Sequence, residues 1–262
     1  MARPLIALLT DFGLRDHYVG AMKGVVLGIC PEATLVDISH DVSPHDVLGA
    51  ALELSAAYRY FPSGTIFLVV VDPGVGSTRR GIAAEVGDYR FVAPDNGVLS
   101  VVLDELPSPR AVELTELKYA RPTISNTFEG RDRFGPAAAW LGTGVQLTAL
   151  GRPASSLTRL DVPRPRLTDA GVDGEVLRVD RFGNLTTNID AAALGKMSGT
   201  ATVRIGLQLI PRILATYADA TPGELCALVG SSDRLEIAVN GGSAAATLGL
   251  GRGAVVQLRR SA

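Results

Sequence analysis

The stretch TIFLVVV at residues 65–71, followed directly by DPGVG at 72–76, decides the fold class of this 262-residue chain. An apolar run without polar alternation is typical of a strand that is buried on both faces of a parallel sheet. The run at residues 5–9 is a second such strand, and apolar residues at helical spacing follow it over residues 18–29. Strands that alternate with helices indicate an α/β domain with a mainly parallel sheet.

The segment between these two strands contains a further strand and a further helix. Residues 34–38 have the pattern of a short strand. Ser43 can cap a helix, Pro44 suits its first position, and Asp46 completes a pattern that resembles a capping box. We therefore predict a helix from about Pro44 to Tyr60.

The character of the sequence changes after Gly151. Residues 152–173 are rich in Pro, Arg, Thr and Leu, have no helical period and indicate a linker. Short β-like runs separated by Gly and Pro then recur, at 174–179, 200–205, 225–229, 235–239 and 254–258. This pattern predicts a small all-β barrel or sandwich. We therefore predict two domains, an α/β domain at 1–160 and a β-barrel domain at 161–262.

Composition and charge exclude several classes of protein. The net charge is −2 and no basic stripe is present, which removes the electrostatic footprint of a nucleic-acid-binding protein. No apolar run reaches the roughly 18 residues that a membrane-spanning helix needs, and the N-terminus lacks the apolar region of a signal peptide. We therefore expect a cytoplasmic protein that binds a small molecule, with neither nucleic acid nor membrane as a partner.

The cysteines and histidines give no indication of a metal site. Cys30 and Cys226 lie far apart without CxxC spacing, so that we interpret both as small core residues. The three histidines, His17, His40 and His45, show neither HxxxH nor HxH spacing. We therefore predict no metal.

Polar clusters follow predicted strands, and in open α/β sheets ligands bind beyond the carboxyl ends of the strands. The carboxylate of Asp11 can accept hydrogen bonds from a ribose diol, or it can cap the next helix. Asp72 is followed seven residues later by Arg79, the kind of partner that a partly buried carboxylate needs to remain ionised. The alternative for this second cluster is an ordinary turn with a structural ion pair.

Two further segments concentrate hydrogen-bonding side chains. The polar loop at residues 126–134 runs into a helix, and its Thr127 and Glu129 can face a ligand. Arg131 and Asp132 of this loop form a surface ion pair in the alternative interpretation. The segment VDRFGNLTTN at 179–188 is either a binding loop or a plain turn, and GSS at 230–232 and AVNGG at 238–242 offer similar groups after strands.

Taken together, these motifs resemble one enzyme family over nearly the whole chain and in the same order. They are TDFG, ISHDVSPHDV, VVDPGVGSxRR, APDNGVL, TFEGRDRFGPAA, VDRFGNLTTNI and LEIAVNGGSAA. The family is that of the S-adenosyl-L-methionine hydroxide adenosyltransferases, relatives of the fluorinases and chlorinases. The resemblance implies an N-terminal α/β domain and a C-terminal β-barrel. It also implies a homotrimer whose ligand lies between the N-terminal domain of one subunit and the C-terminal domain of the next.

The resemblance also implies roles for individual residues in binding the substrate. Asp11 matches the ligand of the ribose diol, and Asp180 with Asn184 matches the pair that holds the amino and carboxylate end of methionine. We expect Thr127 and Phe128 to line the same site. The remaining matches are His45 near the sugar, Tyr217 beside adenine, Ser231 at the methionine carboxylate, and Asn240 and Gly241 at the adenine edge.

The implied reaction is hydrolysis of S-adenosyl-L-methionine at ribose C5′ to adenosine and L-methionine, without a cofactor. Asp72 and Arg79 match two members of the hydrolases' Asp-Arg-His set. The third member is a histidine in TFHGRD, where this chain has Glu129. A glutamate cannot donate a ring N–H, although it can pair with Arg79 and help to orient water.

Three alternative functions follow from the same residues. A protein that binds S-adenosyl-L-methionine or adenosine without turnover is suggested by Glu129. A halogenase is disfavoured by Asp72, because the halogenating relatives have a neutral residue there and a carboxylate repels halide. A dinucleotide-dependent oxidoreductase is disfavoured because GxGxxG is absent after the first strand.

Overall fold

A computed structural model describes residues 3–106, 108–195 and 201–260. The chain divides into two compact units between Val162 and Pro163. Thr200, which the sequence places at the start of a strand, lies outside the described residues.

The first unit contains a mixed sheet with the strand order β2-β1-β3-β5-β4-β6-β7. Its strands are β1 (Leu5–Thr10), β2 (Thr34–Ser39), β3 (Ile66–Val70), β4 (Gly81–Val86), β5 (Tyr89–Pro94), β6 (Arg110–Leu114) and β7 (Gly151–Pro153). The pairings of β1 with β2, β1 with β3 and β3 with β5 are parallel, whereas β4, β6 and β7 pair antiparallel. The prediction of a mainly parallel sheet therefore holds for only one half of this sheet. The two-residue turn between β4 and β5 can join only antiparallel neighbours.

Helices cover both faces of this sheet. They are α1 (Tyr18–Ile29), α2 (Val47–Ala57), α3 (Ser100–Glu105) and α4 (Gly135–Gly142), with single 3₁₀ turns at Tyr58–Tyr60, Leu117–Tyr119 and Leu147–Ala149. Met22 of α1 and Ala138 of α4 belong to the core on one face, and Leu54 of α2 and Val102 of α3 belong to the core on the other. The apolar faces that the sequence predicts for the central strands are thus both buried.

The second helix starts later than the sequence pattern predicts. It begins at Val47 rather than at about Pro44, and its cap is Asp46, whose Oδ1 accepts a hydrogen bond from the Gly49 backbone N at 2.9 Å. His45 has φ +67°, a left-handed conformation that an α-helix does not contain. The chain therefore makes a tight turn before α2, which belongs to the candidate site described below.

The second unit is built on a nine-stranded sheet among its described residues, 163–195 and 201–260. Its strands are β8 (Arg166–Thr168), β9 (Gly171–Val179), β10 (Leu185–Asp190), β11 (Ala201–Ile205), β12 (Gln208–Ile210), β13 (Ile213–Leu214), β14 (Leu225–Val229), β15 (Arg234–Val239) and β16 (Val255–Arg260). The strand order is β12-β11-β16-β9-β10-β15-β14-β13, with β8 on β9. Two short helices, α5 (Ala191–Gly195) and α6 (Ala244–Leu248), and a 3₁₀ turn at Tyr217–Asp219 correct the all-β prediction.

Only part of the predicted linker at residues 152–173 is free of regular structure. Its first two residues belong to β7, and its last residues form β8 and the start of β9. Residues 154–162 belong to the first unit, in which the Thr158 backbone N donates to Asp95 Oδ1 at 2.8 Å and the Leu160 backbone N donates to Ser100 Oγ at 2.7 Å. A segment rich in Pro and Arg therefore looks like a linker in sequence but is held by side-chain acceptors of the domain it leaves.

Candidate active site

The sheet topology brings Asp11 and Asp72 to the same edge of the first unit. Strands β1 and β3 are parallel neighbours, with Thr10 paired to Val70 at their carboxyl ends. Asp11 follows one of these ends directly, and Asp72 follows the other after one buried residue. This edge is where open α/β sheets bind ligands.

Asp72 and Arg79 form a two-pronged ion pair within one loop. Arg79 Nε donates to Asp72 Oδ1 at 2.8 Å, and Arg79 Nη2 donates to Asp72 Oδ2. Both side chains are largely buried. A methyl group at Gly76 would lie 2.6 Å from the Asn126 carbonyl oxygen, so that only glycine allows this loop to approach the 126–134 segment closely.

Arg79 also binds Glu129, which makes it the centre of the cluster. Its Nη2 donates to Glu129 Oε2, and its guanidinium lies 5.1 Å from the centre of the Phe134 ring. Burial lowers the pKa of Arg79, but the hydrogen bonds and charges of Asp72 and Glu129 outweigh burial and raise it above its usual value. Arg79 is therefore a permanently charged donor between two carboxylates.

Glu129 precedes a widened helical turn and has a second arginine partner. Gly130–Phe134 is a π-helical turn, a rare geometry that is frequent at functional sites. Glu129 is only 9 % exposed, and its Oε1 accepts a hydrogen bond from Arg133 Nη1 at 2.9 Å. A methyl group at Gly130 would lie 3.2 Å from Val70 Cγ1, so that this turn packs closely on the end of β3.

The ion pair Arg131–Asp132 differs from the surface pair of the alternative interpretation, because its carboxylate is buried and only its arginine reaches solvent. Asp132 is 0 % exposed and accepts hydrogen bonds from Arg131, Arg121 and the Ser125 backbone N. Burial raises its pKa, but these hydrogen bonds outweigh burial and lower the pKa below the usual value. Asp132 thereby fixes the loop that carries Thr127 and Glu129.

Phe128 and Thr127 differ in their surroundings. The buried Phe128 ring packs edge-on against Phe12, with ring centres 5.8 Å apart, and against Tyr18, at 5.2 Å. Thr127 is exposed, and its Oγ1 lies 3.2 Å from Ser125 Oγ. Phe128 thus forms an aromatic wall with residues that follow β1, next to Asp11.

Asp11 does not cap α1, because this helix begins seven residues later, at Tyr18, and its N-cap residue is His17. The alternative role of Asp11 as a helix cap is therefore excluded. Instead Asp11 Oδ2 accepts a hydrogen bond from the His45 backbone N at 2.8 Å, and the Gly13 backbone N donates to the His40 carbonyl at 2.8 Å. Asp11 therefore joins the loop after β1 to the left-handed turn before α2. The loops that carry Asp11 and His45 form one substructure.

In the second unit, Asp180 and Asn184 close a tight loop between β9 and β10. Asp180 Oδ1 accepts hydrogen bonds from the backbone N of Phe182 and of Asn184, both at 2.9 Å, and Asp180 Oδ2 accepts from Asn184 Nδ2 at 3.0 Å. The residues that follow, 185–190, form β10, a strand that the sequence analysis did not predict. The loop is more than a plain turn because its carboxylate is held in one orientation by three donors.

Gly183 is the residue that permits this loop, and we expect Gly183→Ala to destabilise the protein by roughly 2 to 4 kcal/mol. Gly183 has φ +84°, and an added methyl group would overlap Ser243 Oγ. Gly223→Ala is the matched control, since Gly223 has φ +82° but open space around it. The control should lose only about 1 to 2 kcal/mol. Urea denaturation followed by circular dichroism measures both, and equal losses would mean that the loop tolerates the methyl group.

Two further candidate residues of the second unit, Tyr217 and Ser231, lie in contact with or in sequence beside the surroundings of a buried carboxylate, Glu236. The hydroxyl of Tyr217, a residue that is 41 % exposed, donates to Glu236 Oε1 at 2.5 Å. Burial, with the neighbouring charge of Asp180, raises the pKa of Glu236 above its usual value, and burial and Glu236 raise that of Tyr217. Ser231 is exposed, one residue after Gly230, where an added methyl group would lie 2.8 Å from Glu236 Oε2.

Asn240 and Gly241 follow β15 directly. Asn240 Nδ2 donates to the Ala220 carbonyl at 2.8 Å, so that its side chain ties the end of β15 to the turn that carries Tyr217. Gly241 is exposed with φ +75°. The candidate residues thus form two groups, one in each unit.

Sequence reasoning missed two residues of these groups. Arg133 is four residues after Glu129, a spacing that is typical of ion pairs on a helix and that could have identified Arg133 from the sequence. Glu236 is one residue of a strand whose neighbours are apolar, and nothing in its spacing marks it.

The described residues contain no group of three or more His, Cys, Asp or Glu side chains that could hold a metal ion. No helix among them is both long enough and apolar enough to cross a membrane.

A cluster of buried carboxylates and arginines at the carboxyl edge of a sheet in an α/β unit is a candidate site for a small polar ligand. Family comparison then identifies the class of enzyme. The model of the SAM hydroxide adenosyltransferase N-terminal domain matches residues 6–151, and that of the C-terminal domain matches residues 174–257. The chain belongs to the SAM hydroxide adenosyltransferase family.

Individual relatives match this chain over nearly their whole length. An (R)-S-adenosyl-L-methionine hydrolase of Salinispora tropica is 41 % identical, over 94 % of each chain, and one of Thermus thermophilus is 39 % identical, over 97 % of this chain and 98 % of the relative. A fluorinase of Nocardia brasiliensis is 32 % identical over 98 % and 97 %. The crystal structure of an uncharacterized conserved protein from Thermotoga maritima superimposes with a TM-score of 0.92 at 38 % identity, covering 97 % of this chain and all of that one.

Proposed function

We propose that this protein hydrolyses S-adenosyl-L-methionine at ribose C5′, releasing adenosine and L-methionine. The observation that carries the proposal is the buried Asp72 carboxylate, held by Arg79 at the carboxyl edge of the sheet. Family membership and the names of relatives that are about 40 % identical support the same substrate and reaction.

The reaction is an in-line substitution in which the water oxygen bonds to C5′. The C5′–S bond breaks with its electron pair moving to sulfur, which turns the sulfonium into the neutral thioether of methionine. Asp72 accepts the proton that water loses, and Arg79 fixes the direction of that carboxylate. Glu129, on the other side of Arg79, helps to orient the water. The chemistry needs no cofactor and no metal, because the sulfonium is already a good leaving group.

The remaining candidates bind the substrate in this proposal. Asp11 accepts hydrogen bonds from the ribose diol, and the Asp180–Asn184 loop holds the amino and carboxylate end of methionine. The sugar is lined by His45, Thr127 and Phe128. The adenine is lined by Tyr217, Asn240 and Gly241, and Ser231 contacts the methionine carboxylate.

We propose a homotrimer in which the first unit of one subunit and the second unit of the next complete each site, with the sheet of the second unit closed into a barrel. A cytoplasmic location remains a prediction.

Two other functions, binding without turnover and halogenation, would give different reaction products. A binding protein without turnover is favoured by Glu129, which replaces the histidine of the hydrolase pattern. A halogenase is disfavoured, because Asp72 and Glu129 place two carboxylates where a halide would have to be desolvated.

Chromatography of the products tests the proposal. The purified protein, incubated with S-adenosyl-L-methionine in buffer with chloride and with or without EDTA, should form equal amounts of adenosine and methionine at rates that EDTA does not change. Tight binding without adenosine would establish the binding protein instead, and a 5′-halogenated nucleoside would establish the halogenase.

Asp11→Asn is expected to raise KM by about ten- to a hundredfold and to leave kcat nearly unchanged. A hydrogen bond to the diol is made in the ground state and in the transition state alike, so that its loss weakens uniform binding. The amide oxygen of asparagine still accepts from the His45 backbone N, which preserves the loop. Asp16→Asn, at an exposed position of the same loop, is the control. A normal KM with a collapsed kcat would contradict the assignment.

A further inference from the structure

Glu129 is bound by two guanidinium groups that reach it from different elements. Arg79 binds its Oε2 from the loop after β3, and Arg133 binds its Oε1 at 2.9 Å from the π-helical turn. The Glu129 side chain is 11 % exposed and that of Arg133 is 23 % exposed, so that both are shielded from solvent. This ion pair is therefore stronger than a surface pair between the same groups.

The charges of the cluster balance only when Arg133 is included. Arg79 by itself lies between two carboxylates, Asp72 and Glu129. Two carboxylates that share one guanidinium leave one negative charge without a compensating positive charge. With Arg133 the cluster contains two carboxylates and two guanidinium groups.

Arg133 is also fixed independently of Glu129. Its Nη2 donates to the carbonyl oxygen of Leu114, the last residue of β6, at 2.6 Å. The sheet therefore holds this guanidinium in place, and Glu129 docks against an anchored charge.

We propose that Arg133 is a positioning residue for the reaction and acts through Glu129. It compensates the charge of Glu129 and holds its Oε1, so that Arg79 orients Asp72 without having to balance both carboxylates by itself. The family's histidine needs no such partner because a neutral ring adds no negative charge beside Asp72. Glu129 and Arg133 are therefore one functional unit. This inference rests on the proposed hydrolase activity.

A double-mutant cycle with Arg133→Gln and Glu129→Gln tests the coupling. In the parent, Arg133→Gln should lower kcat about tenfold and leave KM within about twofold. In the Glu129→Gln background the same change should alter kcat by less than about twofold, because the charge that Arg133 compensates is gone. Arg133→Lys should restore part of the loss. Arg121→Gln is the control, since among the described residues Arg121 pairs with Asp132 of the same turn rather than with Glu129.

An equal loss of kcat in both backgrounds would overturn the inference, because Arg133 would then act only through Leu114 as a structural anchor. A crystal structure of Arg133→Gln provides a test that does not depend on turnover. Glu129 should move relative to Arg79, and an unchanged arrangement of Asp72, Arg79 and Glu129 would overturn the inference. A parent that forms no adenosine would refute the hydrolase function, and the crystal structure would still decide the positioning role.

Discussion

Asp72→Asn is expected to lower kcat by about a hundred- to ten-thousandfold, which is the usual contribution of a positioned general base. The amide has nearly the shape of the carboxylate and its oxygen still accepts from Arg79 Nε, but it cannot take a proton from water. KM should change little, because the lost interaction develops in the transition state. Steady-state formation of adenosine measures both constants.

Asp95→Asn is the matched control for this variant. Asp95 is buried and accepts hydrogen bonds from Arg80, the residue next to Arg79, and from the Thr158 backbone N of the chain after β7. It should lower stability and leave kcat close to that of the parent. A small effect of Asp72→Asn on kcat, or an equal effect of both variants, would exclude Asp72 as the proton acceptor.

Glu129→His is expected to raise kcat by about ten- to a thousandfold, again within the range of a positioned acid or base. A neutral imidazole supplies both a donor and an acceptor beside Arg79, which a carboxylate does not. The structure adds a condition, because Glu129 is also the partner of Arg133. Adding Arg133→Gln should therefore change kcat by less than about twofold in this background, although it lowers kcat in the parent. The same adenosine assay measures all of these variants.

Glu129→Ala separates the two roles that the carboxylate can have. A loss of activity would mean that Glu129 has taken over the orientation of water, and no change would mean that it only balances charge. A histidine variant that is no faster than the parent, with unchanged binding of S-adenosyl-L-methionine, would show that Asp72 and Arg79 handle the water without a third group.

The sequence predicts those parts of the fold that depend on local pattern. The apolar runs of β1 and β3 and the helical spacing of α1 were sufficient to predict these three elements. Burial on both faces of a strand requires a continuous apolar run, and a helix with one buried face requires a 3.6-residue apolar period. The antiparallel half of the first sheet was missed, since pairing direction depends on where distant strands meet. The predicted start of α2 was wrong because His45 has a left-handed conformation, which is favoured by the hydrogen bond from its backbone N to Asp11, 34 residues away.

The candidate site shows the same division. The seven-residue spacing of Asp72 and Arg79 on one loop identified their ion pair. The contact between Arg79 and Glu129 crosses 50 residues of sequence and was suggested only by family resemblance. Glu236 was missed because the sequence does not show that this strand residue is buried or that the Tyr217 hydroxyl donates a hydrogen bond to it.

The measurement that tests the hydrolase function most directly is single-turnover reaction with S-adenosyl-L-methionine in ¹⁸O-labelled water, followed by mass spectrometry of the products. Attack of water on C5′ places one ¹⁸O atom in the 5′ hydroxyl of adenosine and none in methionine, and Asp72→Asn should slow this incorporation by the same factor as kcat. Adenosine without ¹⁸O, or S-adenosyl-L-methionine recovered intact from the protein, would contradict the function proposed for this chain.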